Sequence, residues 1–330
     1  MADSPAGPRR PAWSEDTEHL RLLAKVARLY HEQGMKQREI AVMLSISQPR
    51  VSRLLTQAAS SGLVRSVIVL PPGVHTEVED RVRERFRLRD VVVVDADGAG
   101  ADITAALGAA AAYYLDTTLM GREVIGISSW SGSLLAAVDR MRPGGHAAAD
   151  RVIQLFGGLG QPDVQVQATR LTSRLADVTG ARPVFLPAPA VAGRAATRDS
   201  LMADPAVAGV ARQWADVTVA LVGVGSLEPS PLLRSSGNGL GDEEQAELRD
   251  LGAVGDVCLR FFDAAGAHVA SPFDARVIGI DAEALLRVPR RIAVAGGADK
   301  ATAVEAAVRG GWANVLITDL GTALRLDAVG

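Results

Sequence analysis

From Val91 onward the sequence repeats one theme: a short apolar run rich in β-branched residues, then a longer stretch with helical periodicity. No other feature limits the possible folds as much. Short apolar runs buried on both faces suit parallel strands, and parallel strands must be joined by crossovers long enough to hold a helix. The expected strands are Val91–Val94, Val124–Ile127, Val152–Phe156, Val184–Leu186, Val217–Val222, Val257–Phe262, Ile292–Ala295 and Val315–Thr318. Between them lie the expected helices Asp102–Leu119, Ser133–Met141, Ala168–Val178, Asp242–Leu251 and Asp299–Arg309. No repeat of fixed period accompanies the alternation. The expectation is an α/β unit with a parallel sheet covered on both faces, its ligand at the carboxyl ends of the strands.

The chain has 330 residues, more than one hydrophobic core ordinarily organises, so two domains are expected. A hydrophobic share of 48% with 22% charged residues excludes wholesale disorder. The single cysteine, Cys258, excludes an intramolecular disulfide framework and any zinc site built on several cysteines. His19, His31, His75, His146 and His268 are scattered without ligand spacing, so no metal is expected. Met1–Trp13 lacks the apolar core of a secretion signal, and Ala105–Leu115 is far too short for a bilayer span. A cytoplasmic chain with no membrane partner is the expectation. Charge is uneven: Met1–Pro72 holds ten Lys or Arg against six Asp or Glu, whereas Gly73–Gly330 holds 25 against 32. A basic front on an acidic body suits contact with phosphate backbones at one end only.

The front end carries the sharpest motif. Residues 1–18 read as a tail and residues 19–72 as a DNA-binding domain. Gln37–Leu54, QREIAVMLSISQPRVSRL, has the spacing of a helix-turn-helix. Ile40, Ala41 and Leu44 face inward from one helix, Ile46 fills the turn, and Val51, Leu54 and Leu55 face inward from the next. Leu20, Leu23, Val26, Ala27 and Tyr30 supply the helix that packs over both. Ser47 is placed to cap the second helix and Pro49 fits its first turn. The outward face is then Ser47, Gln48, Arg50, Ser52, Arg53 and Gln57, which can bond base edges and phosphates from the major groove. Gln37 and Arg38, opening the first helix of the pair, are placed to meet a phosphate. Position 45 is Ser where such turns often carry Gly. A three-helix bundle used for protein contact is the other reading of the same pattern. Val64–Leu70 reads as a strand, Pro71-Pro72-Gly73 breaks the chain, and Val74–Leu88 reads as an amphipathic linker or self-association helix.

With those residues in view, the sequence resembles the SorC family of sugar-binding bacterial transcriptional regulators. The resemblance runs from about Leu20 to Leu326. It rests on the helix-turn-helix and on IGISSWSGSL, VIQLFGGLG, LVGVGSL, LGAVGDVCLRFFDAAG and RIAVAGGADKATAVEAAVRGGWANVLITD, all in the family's order. It implies an N-terminal winged helix-turn-helix followed, over residues 73–330, by an α/β, Rossmann-like effector and oligomerisation domain. That domain would be similar to sugar-phosphate isomerases and deaminases but without catalysis or cofactor. It further implies double-stranded operator DNA and a sugar effector, phosphorylated in the usual case, as partners. Homo-oligomers are the family's rule, as dimers of dimers.

The expected effector residues fall in five places along the chain. Ser129, Trp130, Ser131, Gly132 and Ser133 form a Ser- and Gly-rich turn from strand to helix, which offers N–H groups, hydroxyls and a helix dipole to an anion. The family's usual form there is Trp-Gly-Ser/Thr-Thr-Leu, so Gly and the first hydroxyl residue are exchanged. Gly157, Gly158, Gly225 and Ser226 follow other strands, where glycine lets a ligand approach the backbone; they equally suit plain turns. Lys300 is one of three lysines, with Lys25 and Lys36, and stands in the first turn of a helix, where a cation opposes the dipole unless an anion joins it. The resemblance puts an effector lysine at this G-x-x-K spacing. Asp256, at the start of the expected strand Val257–Phe262, suits sugar hydroxyls, and the family has an acidic effector contact here. A turn cap is its alternative role. Two rival functions stay open: a sugar-phosphate isomerase or deaminase with an accessory DNA-binding module, and a DNA-binding oligomer that senses nothing.

Overall fold

The computed structural model describes residues 17–64, 71–96, 103–128, 131–142, 148–158, 162–228 and 240–328. The chain divides into two compact units, Met1–Leu70 and Pro71–Gly330. The expected strand Val64–Leu70, apart from Val64 itself, and Ser129 and Trp130 lie outside the described residues.

In the front unit the apolar spacing forms three helices: α1 (Thr17–His31), α2 (Gln37–Met43) and α3 (Gln48–Ser60). Leu23, Val26, Ala27, Ile40, Ala41, Val51, Leu54 and Ala58 close one small core. Leu29 takes the buried place expected of Tyr30, whose ring is 38% exposed. Ser47 stands at the N-cap of α3 with extended backbone, yet its hydroxyl makes no capping bond. Pro49 sits in the first turn, where no backbone hydrogen bond is lost. The turn between α2 and α3 bends through Ser45 at φ 53°, the left-handed region that a side chain resists. Ser45→Gly should therefore stabilise this unit by about 0.5–1 kcal/mol, the relief of left-handed strain less glycine's extra entropy. Thermal unfolding followed by helical circular dichroism checks this, and a loss of stability would show that the Ser45 side chain supports the turn.

The second unit opens with α4 (Thr76–Phe86) and continues as alternating strands and helices. The strands are β1 (Asp90–Val94), β2 (Glu123–Ile127), β3 (Ala149–Gln154), β4 (Arg182–Val184), β5 (Val219–Val222), β6 (Gly225–Ser226), β7 (Ala253–Val257), β8 (Arg260–Asp263), β9 (Arg290–Val294) and β10 (Val315–Asp319). The helices after α4 are α5 (Ile103–Thr118), α6 (Gly132–Arg140), α7 (Pro162–Thr179), α8 (Ala195–Ala203), α9 (Pro205–Ala211), α10 (Asp242–Asp250), α11 (Ala282–Arg287), α12 (Ala301–Arg309) and α13 (Leu320–Ala328). Seven strands form one parallel sheet in the order β1-β10-β9-β5-β2-β3-β4. Its two faces bury separate cores. Leu107, Leu115, Leu134, Val138, Leu171 and Leu175 of α5, α6 and α7 cover one. Val82 of α4, Leu285 of α11, Val304 of α12 and Leu326 of α13 help cover the other. This is the covered parallel sheet that the alternation predicts.

Three details differ from expectation. The run Val257–Phe262 is no single strand: it is the turn and flanks of a hairpin, β7 to β8, in a second sheet of antiparallel order β6-β7-β8. The chain reverses at Cys258 and Leu259, with φ 55° and 61°. Asp256 consequently stands near the end of β7 and opens no strand. The expected strands at Val152–Phe156 and Val184–Leu186 are shifted towards the N-terminus, because Leu155 and Leu186 are buried after the ladders have ended. Pro183 is tolerated in β4 because that strand is the sheet's edge. Helix α7 starts at Pro162, ahead of the expected Ala168.

Candidate functional site

Loops at the carboxyl ends of β2, β5 and β9 lie together at one end of the sheet, beside the β6–β7 pair. After β2, the Ser128 hydroxyl accepts a hydrogen bond from Gly223 N–H at 3.2 Å and so ties the ends of β2 and β5 together. Helix α6 then begins at Gly132, with Ser131 as its N-cap accepting from Leu134 N–H at 3.3 Å. A Cβ on Gly132 would meet only Thr104, 3.8 Å away, so packing does not demand glycine there. Gly223 differs, since a Cβ on it would crowd Ser131 Oγ at 3.0 Å. Ser133 is half-buried in the first turn of α6. The positive end of the α6 dipole lies over the end of β2, as the strand-to-helix motif requires.

Opposite stands the charged pair. Gly225 pairs with Asp256 across β6 and β7, and a Cβ on Gly225 would overlap Asp256 Oδ1. Glycine at 225 is therefore what lets the carboxylate lie against this backbone. Asp256 is 9% exposed, and burial raises its pKa to about 6; the Leu259 N–H and the Lys300 ammonium hold it from rising further. Its Oδ2 accepts from Leu259 N–H at 2.9 Å, so the carboxylate also caps the hairpin reversal. Lys300 ends the 3₁₀ turn Ala298–Lys300 just before α12, and its Nζ donates to Val224 O at 3.1 Å. Burial lowers the Lys300 pKa, and the Asp256 carboxylate works against that shift. A half-desolvated ammonium, a buried carboxylate, a helix N-terminus and glycine backbone are together suited to a small polyhydroxylated anion.

Other expected residues take part in backbone packing and local hydrogen bonds. Gly157 donates its N–H to Ile278 O at 2.9 Å, and a Cβ on it would overlap the Pro189 carbonyl, so close backbone packing accounts for that glycine. Gly158 is buried beside it. Ser226 turns its hydroxyl to Glu228 O at 3.1 Å. Ser128 and Val224 lie inside the quoted IGISSWSGSL and LVGVGSL blocks, but sequence reasoning assigned no separate role to the Ser128 hydroxyl or the Val224 carbonyl.

In the front unit Ser47, Gln48, Pro49, Arg50, Ser52 and Arg53 are all exposed on one face of α3, and Arg38 is exposed on α2. Gln37 is half-buried. Gln57, expected on the outward face, instead accepts at Oε1 a 3.1 Å hydrogen bond from His19 Nε2 of α1 and serves the bundle.

A helix with exposed arginines in one unit and a polar group gathered at strand ends in the other are the parts expected of a ligand-responsive transcriptional regulator. Residues 71–326 match the family described as "Putative sugar-binding domain". The chain is 32% identical over 314 residues to the deoxyribonucleoside regulator of Bacillus subtilis, covering 94% of this chain and 98% of that protein. It is 31% identical to the transcriptional regulator LsrR of Escherichia coli, covering 91% and 92%. The full-length sorbitol operon regulator SorC of Klebsiella pneumoniae superposes with a TM-score of 0.71 at 25% identity, covering 94% of this chain and all of that one. The chain belongs to the SorC family of sugar-binding transcriptional regulators. Among the described residues no helix is long and apolar enough to cross a membrane.

Proposed function

We propose that residues 19–72 form a winged helix-turn-helix that reads operator DNA, and that residues 73–330 bind a small sugar or polyol, phosphorylated, which changes the grip on that DNA. The convergence of Ser131, Gly132, Gly225, Asp256 and Lys300 at the strand ends carries this reading. Hydroxyls of the effector would bond Asp256, and its anionic group would lie between the α6 N-terminus and Lys300. The names of the deoxyribonucleoside and sorbitol operon regulators point to the same class of small, hydroxyl-rich molecule. A homo-oligomer, a dimer of dimers, would present paired α3 helices to a palindromic site. The effector acts by binding one arrangement of those pairs better than another, because only a difference in affinity moves the equilibrium. No cofactor enters this scheme.

A thermal-shift screen with matched phosphorylated and free sugars tests the pocket, since a ligand bound only by the folded state raises its melting temperature. Failure of every member of both series to shift the protein would remove the reading. On the DNA side, Arg50→Ala should weaken specific operator binding by about 1–3 kcal/mol, roughly 5- to 150-fold, with the fold intact. Electrophoretic mobility shifts with cognate and scrambled duplexes measure this, and an equal loss on both would make Arg50 a phosphate contact. The opposed shifts of Asp256 and Lys300 would also suit a proton-transfer pair in an isomerase. Turnover of sugar phosphates by the purified protein is the result that would favour that second reading.

A further inference from the structure

The Gly296–Lys300 loop does not hold itself in place. Its anchor is Asp319, the last residue of β10, to which sequence reasoning assigned no role of its own. This carboxylate is 7% exposed and faces the loop across the end of the sheet. Gly297 N–H donates to Asp319 Oδ2 at 2.8 Å, and the Thr322 hydroxyl donates to the same oxygen at 2.5 Å. Thr322 N–H donates to Oδ1 at 3.0 Å, while Thr322 Oγ1 also receives Gly297 N–H at 3.2 Å. A Cβ on Gly296 would overlap Oδ2, so the carboxylate is packed flat against the glycine pair. Gly297 itself has φ 99°, a conformation reserved for glycine. From there the bonds continue: Lys300 N–H donates to Gly297 O at 3.0 Å, and Lys300 Nζ donates to Val224 O at 3.1 Å.

We infer that Asp319 is the positioning residue of the effector site: through Gly297 it fixes the turn that delivers the Lys300 ammonium to the Val224 carbonyl, within the electrostatic reach of Asp256. Its carboxylate bonds Gly297 and Thr322. It acts on Lys300 across one peptide turn. Donors meet both oxygens, Gly297 N–H and the Thr322 hydroxyl at Oδ2 and Thr322 N–H at Oδ1, so an Asn in either orientation would turn its NH₂ against a donor, which explains why a carboxylate stands here. The hydrogen bonds outweigh burial and hold the Asp319 pKa below the usual carboxylate range, so the charge persists at physiological pH. A merely structural role exists beside this one, as the N-terminal cap of α13 through Thr322 N–H. The two roles separate by reach: a serine at 319 is a good cap but is too short to hold Gly297.

The consequence for sensing rests on the effector reading above, but the positioning itself is tested without any effector. The full-length protein has only three lysines, so Lys25 and Lys36 serve as internal standards for Lys300. In limited acetylation with acetic anhydride, followed by peptide mass spectrometry, Lys300 should react at least 10-fold more slowly than those two. Asp319→Ser should bring Lys300 within about threefold of them, while far-ultraviolet circular dichroism stays unchanged. Thr322→Val, which keeps the carboxylate and removes the shared hydroxyl, should give a smaller change in the same direction, and it decides the matter if Asp319→Ser does not fold. Unaltered Lys300 protection in a folded variant would overturn the inference and leave Asp319 a helix cap. If Lys300 is freed as expected but no sugar shifts the wild-type protein, the positioning stands and the effector reading falls.

Discussion

Asp256→Asn should make the protein more stable at neutral pH and less able to bind its effector. The folded state raises the pKa of this carboxyl from 3.8 to about 6 by burying it. An acid whose pKa is higher in the folded state favours folding when protonated, so stability falls as pH rises from about 4 to about 6 and stays low above that. The difference corresponds to a penalty on the order of 3 kcal/mol at pH 7. An Asn pays no such charge-burial cost, and its side-chain oxygen can still accept the Leu259 N–H. The variant should gain about 1–3 kcal/mol at pH 7.5, several degrees in Tm for a unit of this size, and lose most of the wild-type slope between pH 4 and 6. Urea unfolding at a series of pH values measures both. Equal or lower stability at pH 7.5 would mean that the carboxylate is better compensated than its burial indicates.

Lys300→Met should abolish the effector response. The methionine fills the same volume but brings no donor for Val224 O and no charge for an anion. Loss of one charge-assisted hydrogen bond in a half-desolvated site costs about 1.5–3 kcal/mol, roughly 10- to 150-fold in effector affinity. Isothermal titration with whichever sugar phosphate stabilises the wild type reads this directly. Because Lys300 and Asp256 interact electrostatically, the Lys300→Met and Asp256→Asn effects should not add. A fully additive double variant would show that the two groups serve separate ends of the ligand.

What the sequence disclosed, and what it hid, follows from where the physical signal lies. Strands β2, β5, β9 and β10 were legible because central parallel strands are apolar on both faces, and Val315–Thr318 permits little else; the edge strand β1 was legible from its four consecutive valines, Val91–Val94. The α2–α3 pair was legible because Ile40, Ala41, Val51 and Leu54 must all meet in one core. The β7–β8 hairpin was hidden: its reversal uses Cys258 and Leu259, where such turns ordinarily advertise themselves with Asn-Gly or Asp-Gly. The capping bond from Asp256 replaces that local signal and comes from side-chain geometry. Helix α8 buries none of its side chains and so left no apolar stripe, and α13 follows β10 without a loop to announce it. In the site, charge made Asp256 and Lys300 visible. Gly157 was singled out for its position after a strand, whereas the Pro189 backbone is what requires it. Asp319 was overlooked because a carboxylate that works on backbone N–H groups forms no motif.

The hairpin reversal has one more consequence. The chain's sole thiol, Cys258, sits at its tip, 4% exposed, and its ionisation is suppressed by burial and by the adjacent Asp256 carboxylate. Thiolate chemistry there requires the tip to come loose, which makes this sulfur a native sentinel: the rate at which a disulfide reagent finds it is a clock for how often the hairpin beside Asp256 springs open.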